Sequence, residues 1–116
     1  MGFSTNNFYG RLKTKYDCSS ETTASITLSN NTEYRFSSDM ESLTVSMPEG
    51  ISEDYAAYVV FESGETATAV TYPDTLKWSG DDVIDGVFTP LPAHRYNIGI
   101  WYDGAELNAV SRGVSV

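Results

Sequence analysis

From Thr22 to the C-terminus the chain alternates apolar and polar residues again and again, and a turn signal interrupts it every 8 to 12 residues or so. A period of two puts successive side chains on opposite faces of an extended strand. Leu43-Thr44-Val45-Ser46-Met47 is the cleanest example, and Pro48 with Gly50 ends it. Ser25 to Leu28, Thr32 to Phe36 and Tyr96 to Tyr102 repeat the pattern, with Asn30-Asn31 as a turn pair between the first two. Tyr55 to Phe61 (YAAYVVF) has no polar interruption and reads as a central strand buried on both faces.

Thr66 to Tyr72 is rich in β-formers and stops at Pro73. Leu76-Lys77-Trp78 is a short strand before Ser79-Gly80, and Val87-Phe88 precedes Pro90 and Pro92. Asp103-Gly104 is a strong two-residue hairpin signal, so Glu106 to Val110 returns antiparallel to Tyr96–Tyr102, and Val114 and Val116 close the edge. The expectation is an all-β fold, an antiparallel β-sandwich or jelly roll of eight to nine short strands over residues 21–116. Residues 1–20 form a short N-terminal arm, with a weak helix pattern from Asn7 to Tyr16 that Gly10 interrupts. Phe3, Phe8, Tyr9 and Leu12 give the arm a loose apolar spacing and make it a candidate oligomer contact.

Charge narrows the partners. The formal net charge is -9, which argues against nucleic-acid phosphates and against anionic lipid. The first twenty residues hold Arg11, Lys13 and Lys15 against Asp17 alone, whereas the remainder holds four cations against fifteen acids. The basic leader reads either as an attachment segment or as an end with no role. The lone Cys18 excludes an internal disulfide. No leader-like apolar run is visible, and no stretch reaches the roughly 18 apolar residues of a membrane span. Synthesis in a cytoplasm without a cleaved leader is the expectation.

Few residues carry chemistry. A base must lie beside a nucleophile for covalent catalysis; the single histidine, His94, sits in a loop entering a strand, far in sequence from Cys18. Asp81, Asp82 and Asp85 form a weak candidate metal loop, because their spacing lacks the alternate acids and distal Glu of a calcium loop. The alternative is a solvated turn whose carboxylates bond their own backbone. No phosphate loop or zinc motif is present, so no cofactor, metal or catalytic residue is expected.

Alternation places Tyr96, Ile98, Ile100 and Tyr102 on one face of their strand and Asn97, Gly99 and Trp101 on the other. An outward Trp101 beside a bare Gly99 reads as a sugar-stacking platform with Tyr102, Asp103 and Asn108 nearby, as an intersubunit anchor, or as a cover for its own sheet. Trp78 is expected in the core.

Several stretches also carry a resemblance. They are Glu33-Tyr34-Arg35, Leu43-Thr44-Val45 ending at Pro48, Val60-Phe61-Glu62-Ser63-Gly64, Tyr72 to Asp82, Phe88-Thr89-Pro90, Tyr96-Asn97-Ile98 and Trp101 to Gly104. From about Thr32 onward, roughly three quarters of the chain resembles a small β domain that recurs in phages and prophages of gut Firmicutes. There it is often the C-terminal module of tail-fibre-like proteins. The resemblance implies a non-enzymatic structural or accessory protein of the virion, at a head or tail surface. It implies a homo-oligomer, with a trimer favoured, contacting other virion proteins. A carbohydrate-binding module or receptor-binding tip for bacterial surface glycans is the alternative.

Overall fold

The computed structural model describes residues 14–18 and 20–116, and among them it is all-β, with no helix. The strands are β1 (Thr14–Asp17), β2 (Thr23–Thr27), β3 (Thr32–Asp39), β4 (Ser42–Ser46), β5 (Ala56–Glu62), β6 (Ala69–Thr71), β7 (Leu76–Gly80), β8 (Val83–Ile84), β9 (Val87–Phe88), β10 (His94–Tyr102) and β11 (Leu107–Ser115). A six-stranded sheet runs β1-β3-β5-β10-β11-β7, a three-stranded sheet runs β2-β4-β6, and β8 pairs with β9 alone.

From β1 to β6 the chain alternates between the two larger sheets at every strand. Each return to a sheet therefore runs in the same direction as before. β1–β3, β3–β5, β2–β4 and β4–β6 are all parallel, and β7 joins β11 in parallel at the far edge. This corrects the expected antiparallel layers. The antiparallel return of β11 beside β10 is present as anticipated, and β5–β10 and β8–β9 are antiparallel as well, but such pairs are the minority. Side-chain alternation is the same in parallel and antiparallel strands, so it gives the faces and not the neighbours. The described residues form eleven strands rather than eight or nine, and the short β1 and β8 have no counterpart in the sequence reading. The weak helix pattern noted from Asn7 to Tyr16 does not hold over its last residues, because Thr14 to Asp17 pair with β3 as a strand. Phe3, Phe8, Tyr9 and Leu12 lie outside the described residues.

Both larger sheets contribute to one core. Leu43 and Val45 of β4 pack with Tyr34, Phe36, Val59, Phe61, Ile98 and Ile100 of the six-stranded sheet. Buried tyrosines keep their hydroxyls bonded, as burial demands. Tyr34 donates to the Thr27 carbonyl and accepts from the Ser29 amide, both at 2.9 Å. Tyr55 donates to the Leu28 carbonyl across the β2–β3 turn. At the other end of the core Phe61 stacks on Tyr96, and Phe88 meets Phe61 and Tyr96 edge-on. Trp78 lies 4.6 Å from Phe88, stacked in the core as expected.

The expected double burial of Tyr55 to Phe61 is present: every residue from Ala56 to Phe61 is buried. Ala57, Val59 and Phe61 face the shared core, whereas Ala56, Tyr58 and Val60 form a second cluster with Trp101 on the opposite face.

The turn chemistry needs one correction. Asp103-Gly104 does not make a two-residue hairpin, because Tyr102 pairs with Leu107 and leaves a four-residue loop. The two-residue turn is Asp85-Gly86 between β8 and β9, with φ of 52° and 77°. Positive φ at both positions is the hairpin geometry that matches strand twist. Val114 pairs with Arg95, and the open edges of the large sheet are β1 and β7.

Two substitutions test this architecture. Gly80 has a φ of 104°, and a Cβ there would overlap the Ser111 carbonyl oxygen across the β11–β7 pair. Gly80→Ala should cost at least about 2 kcal/mol from left-handed strain plus the clash. Gly50→Ala, where a Cβ meets nothing within 4 Å, should cost about 1–2 kcal/mol from strain alone. Equal urea midpoint shifts for the two would contradict the parallel β11–β7 pairing. Phe61→Ala, removing the ring that both Tyr96 and Phe88 contact, should cost about 3–5 kcal/mol in the same assay.

Candidate functional site

Trp101 projects from the outer face of the six-stranded sheet, away from the shared core, as its position in β10 anticipates. Its register partners are Ala56 on β5 and Asn108 on β11, and it packs on the Ala56–Tyr58–Val60 cluster. Gly99, two residues earlier, pairs with Tyr58, and both are buried. Asn108 Nδ2 donates to Asp103 Oδ2 at 3.0 Å. Trp101, Asn108 and Asp103 are therefore brought together at one end of the sheet. Tyr102 is not with them: it lies on the other face and packs against the main core.

Asp103 is occupied in building its own loop. Its Oδ1 accepts from the Ala105 and Glu106 amides at 2.9 and 2.7 Å. Hydrogen bonds from Glu106, Ala105 and Asn108 to the ionised form hold its carboxyl below the usual carboxylate range. A depressed folded-state pKa stabilises the fold above the ordinary aspartate value near 3.9 and loses that effect as pH falls through the depressed value.

Asp81, Asp82 and Asp85 are likewise spent on structure. Asp81 Oδ2 accepts from the Gly113 amide at 2.9 Å, and the Ser111 hydroxyl donates to the Asp81 carbonyl. Asp82 Oδ2 accepts from the Tyr96 hydroxyl at 2.6 Å, and Asp85 sits in the hairpin turn. The bonds found run from the Asp81 and Asp82 carboxylates to β11 and β10, which corrects the expectation of a turn whose carboxylates bond their own backbone. Among the described residues no three His, Cys, Asp or Glu side chains converge as a metal donor set.

His94 is the first residue of β10; its Nδ1 donates to the Pro92 carbonyl at 2.8 Å and its ring stacks on Tyr96. Burial raises the Cys18 thiol above its ordinary pKa, with Glu21 and Asp17 adding to the effect. A thiol held protonated is a poor nucleophile. In the core, a cavity of about 10 Å³ lined by Leu43, Val59, Trp78 and Ile98 among others is entirely apolar and about the size of one water.

One feature of the outer face escaped the sequence reading. Glu33 is only 2% exposed, with one carboxylate oxygen 3.1 Å from Arg35 Nε and the other without a hydrogen-bond partner. The signal was present as Glu33-Tyr34-Arg35: an opposite-charge pair two residues apart shares one strand face, with Tyr34 pointing inward. What could not be read was that β1 and β5 would flank Glu33 with Lys15 and Tyr58.

Comparison with protein-family models, curated proteins and solved structures finds no match for this chain.

Two measurements check the local chemistry. Tyr96→Phe strips Asp82 of a donor and the Leu91 amide of its 2.7 Å acceptor, and should cost about 1–3 kcal/mol. Burial, then the bond to Asp82, pushes the Tyr96 pKa up to about 12. The neutral phenol therefore stabilises the fold fully below the free tyrosine value near 10, and that contribution disappears as pH rises through about 12. The wild-type stability advantage over Tyr96→Phe should shrink over that window, and an advantage constant to pH 12 would contradict the assignment. Asp103→Ala should lower the urea midpoint at pH 7, and the difference from wild type should shrink as pH falls below the ordinary aspartate value and through the depressed one.

Proposed function

We propose that this chain is a non-enzymatic structural or accessory subunit of a phage particle, exposed at a head or tail surface and assembled as a homo-oligomer with a trimer favoured. What carries the proposal is the ordered set of motifs from Glu33 to Gly104 that resembles phage surface modules. In the fold these motifs supply packing and turns. Trp78 stacks in the core, Asp81 and Asp82 brace the β8–β9 hairpin, and Asp103 holds the β10–β11 loop.

The two larger sheets, which fill one core from opposite sides, are proposed to form a two-layer β-sandwich. Such a body gives a particle a rigid, acidic, soluble surface. The short edge strands β1 and β7, of four and five residues, limit edge-to-edge aggregation. Phe3, Phe8, Tyr9 and Leu12 remain proposed contacts between subunits.

A second proposal has a specific observation behind it. Trp101 beside Gly99 and Asn108 has the makings of a stacking platform for a sugar ring. On this view the subunit is a glycan-binding tip, or a carbohydrate-binding module, recognising the bacterial surface.

Particle association is the deciding test. Density-purified virions from the bacterium carrying this gene should contain the chain by mass spectrometry and bind an antibody raised against it. Its absence from every purified particle fraction would overturn the structural assignment. For the second proposal, host cell-wall glycans should bind the wild type and lose at least about tenfold in affinity in Trp101→Ala, if stacking contributes its usual 1–3 kcal/mol. Equal binding by both proteins would remove the platform.

A further inference from the structure

The inner face of the six-stranded sheet is covered by the three-stranded sheet through the shared core. Its outer face carries the alternate side chains of each strand. These are Glu33 and Arg35 on β3, Ala56, Tyr58 and Val60 on β5, and Asn97, Gly99 and Trp101 on β10. In register they form the rows Glu33–Tyr58–Gly99 and Arg35–Val60–Asn97.

A bare sheet face leaves such side chains open to water, and here they are not. Ala56, Tyr58 and Val60 are 7, 4 and 3% exposed, and Glu33 is 2% exposed. Neighbours within the sheet cannot account for this. Tyr58 is flanked by Gly99, which has no side chain to lend. Glu33 lies between Tyr58 and Lys15, and Lys15 and Arg35 are themselves exposed. Among the described residues the one further hydrophobic side chain packed on Ala56, Tyr58 and Val60 is Trp101, which stands beside them in the sheet and is only half-buried. The burial is local: on β11 and β7, Lys77, Ser79, Arg112 and Val114 of the same face are exposed.

A segment of this chain is placed to supply the cover. Residues 1–13 lead into β1, which lies at the edge of this sheet beside β3. From β1 to β10 is three strand spacings, about 14 Å. Thirteen extended residues span up to about 45 Å, enough to cross the patch. Phe3, Phe8, Tyr9 and Leu12 suit its apolar part. Arg11 and Lys13, with no acid in the segment, suit Glu33, whose Oε1 is buried without a hydrogen-bond partner among the described residues. A buried carboxylate oxygen left unpaired is costly, so a cationic donor there stabilises the fold.

We propose that residues 1–13 fold across the outer face of β3, β5 and β10 of their own chain. Their apolar side chains seat on Ala56, Tyr58, Val60 and Trp101, and Arg11 or Lys13 pairs with Glu33. This goes beyond the function proposed above and does not depend on it: the four apolar residues offered there as subunit contacts gain a first partner inside their own chain.

Nuclear Overhauser contacts in the full chain provide the test. Phe3, Phe8, Tyr9 or Leu12 should show contacts to the Ala56 and Val60 methyl groups and to the Trp101 indole. Phe8→Asp with Leu12→Asp should abolish them and leave the shifts of Leu43 and Val45 in β4 unchanged. Wild-type chains without such contacts would overturn the docking. In an equal mixture of isotope-labelled and unlabelled chains, the contacts should arise only within a chain. Contacts between labelled and unlabelled chains would show arm exchange with a second copy and overturn the assignment to the same chain.

A stability cycle tests the pairing with Glu33. Arg11→Gln with Lys13→Gln should lower the folding equilibrium constant about tenfold in the wild type and much less in Glu33→Gln. An equal loss in both backgrounds would overturn the pairing.

Discussion

Strand β5 can exist in only one kind of place. A strand with apolar side chains on both faces loses stability wherever either face meets water, at about 25 cal/mol for each Å² of apolar surface left exposed. Ala56–Glu62 is therefore sealed at its edges by β3 and β10 and buried on both faces. On one side Val59 and Phe61 anchor the core shared by the two larger sheets. On the other, Tyr58 and Val60 support Trp101. The outward position of Trp101 follows from Gly99 pairing with Tyr58 one step away.

Much of this was legible in the sequence, and the physical reason differs from element to element. The unbroken apolar run identified β5 as central. Strict alternation gave the facing of β10, so Trp101 was placed outward and Tyr96, Ile98 and Ile100 inward. Pairing direction was not legible. Ser25 to Leu28 and Leu43 to Met47 look alike whether their neighbour is parallel or antiparallel, and the crossing of the chain between sheets leaves no mark in either. The hairpin signal was sound chemistry at the wrong position. Asp-Gly occurs twice, and the tight turn falls at Asp85-Gly86, while Asp103 uses its side chain to hold a longer loop.

The candidate site was legible in part. Trp101, Asn108 and Asp103 do come together, because cross-strand register and one loop suffice to join them. Tyr102 was drawn in by sequence adjacency, although neighbouring residues on a strand point to opposite faces. Glu33 was missed for the opposite reason: its burial depends on strands far away in sequence.

The central claim is that β5 holds the sheets together, and amide hydrogen exchange measures this directly. The slowest amides should lie in Ala56–Glu62 and in the facing part of β10, exchanging only through global unfolding, while those of the edge strands β1 and β7 exchange faster through local opening. Amides of β5 that exchange as fast as those of β1 and β7 would contradict the account.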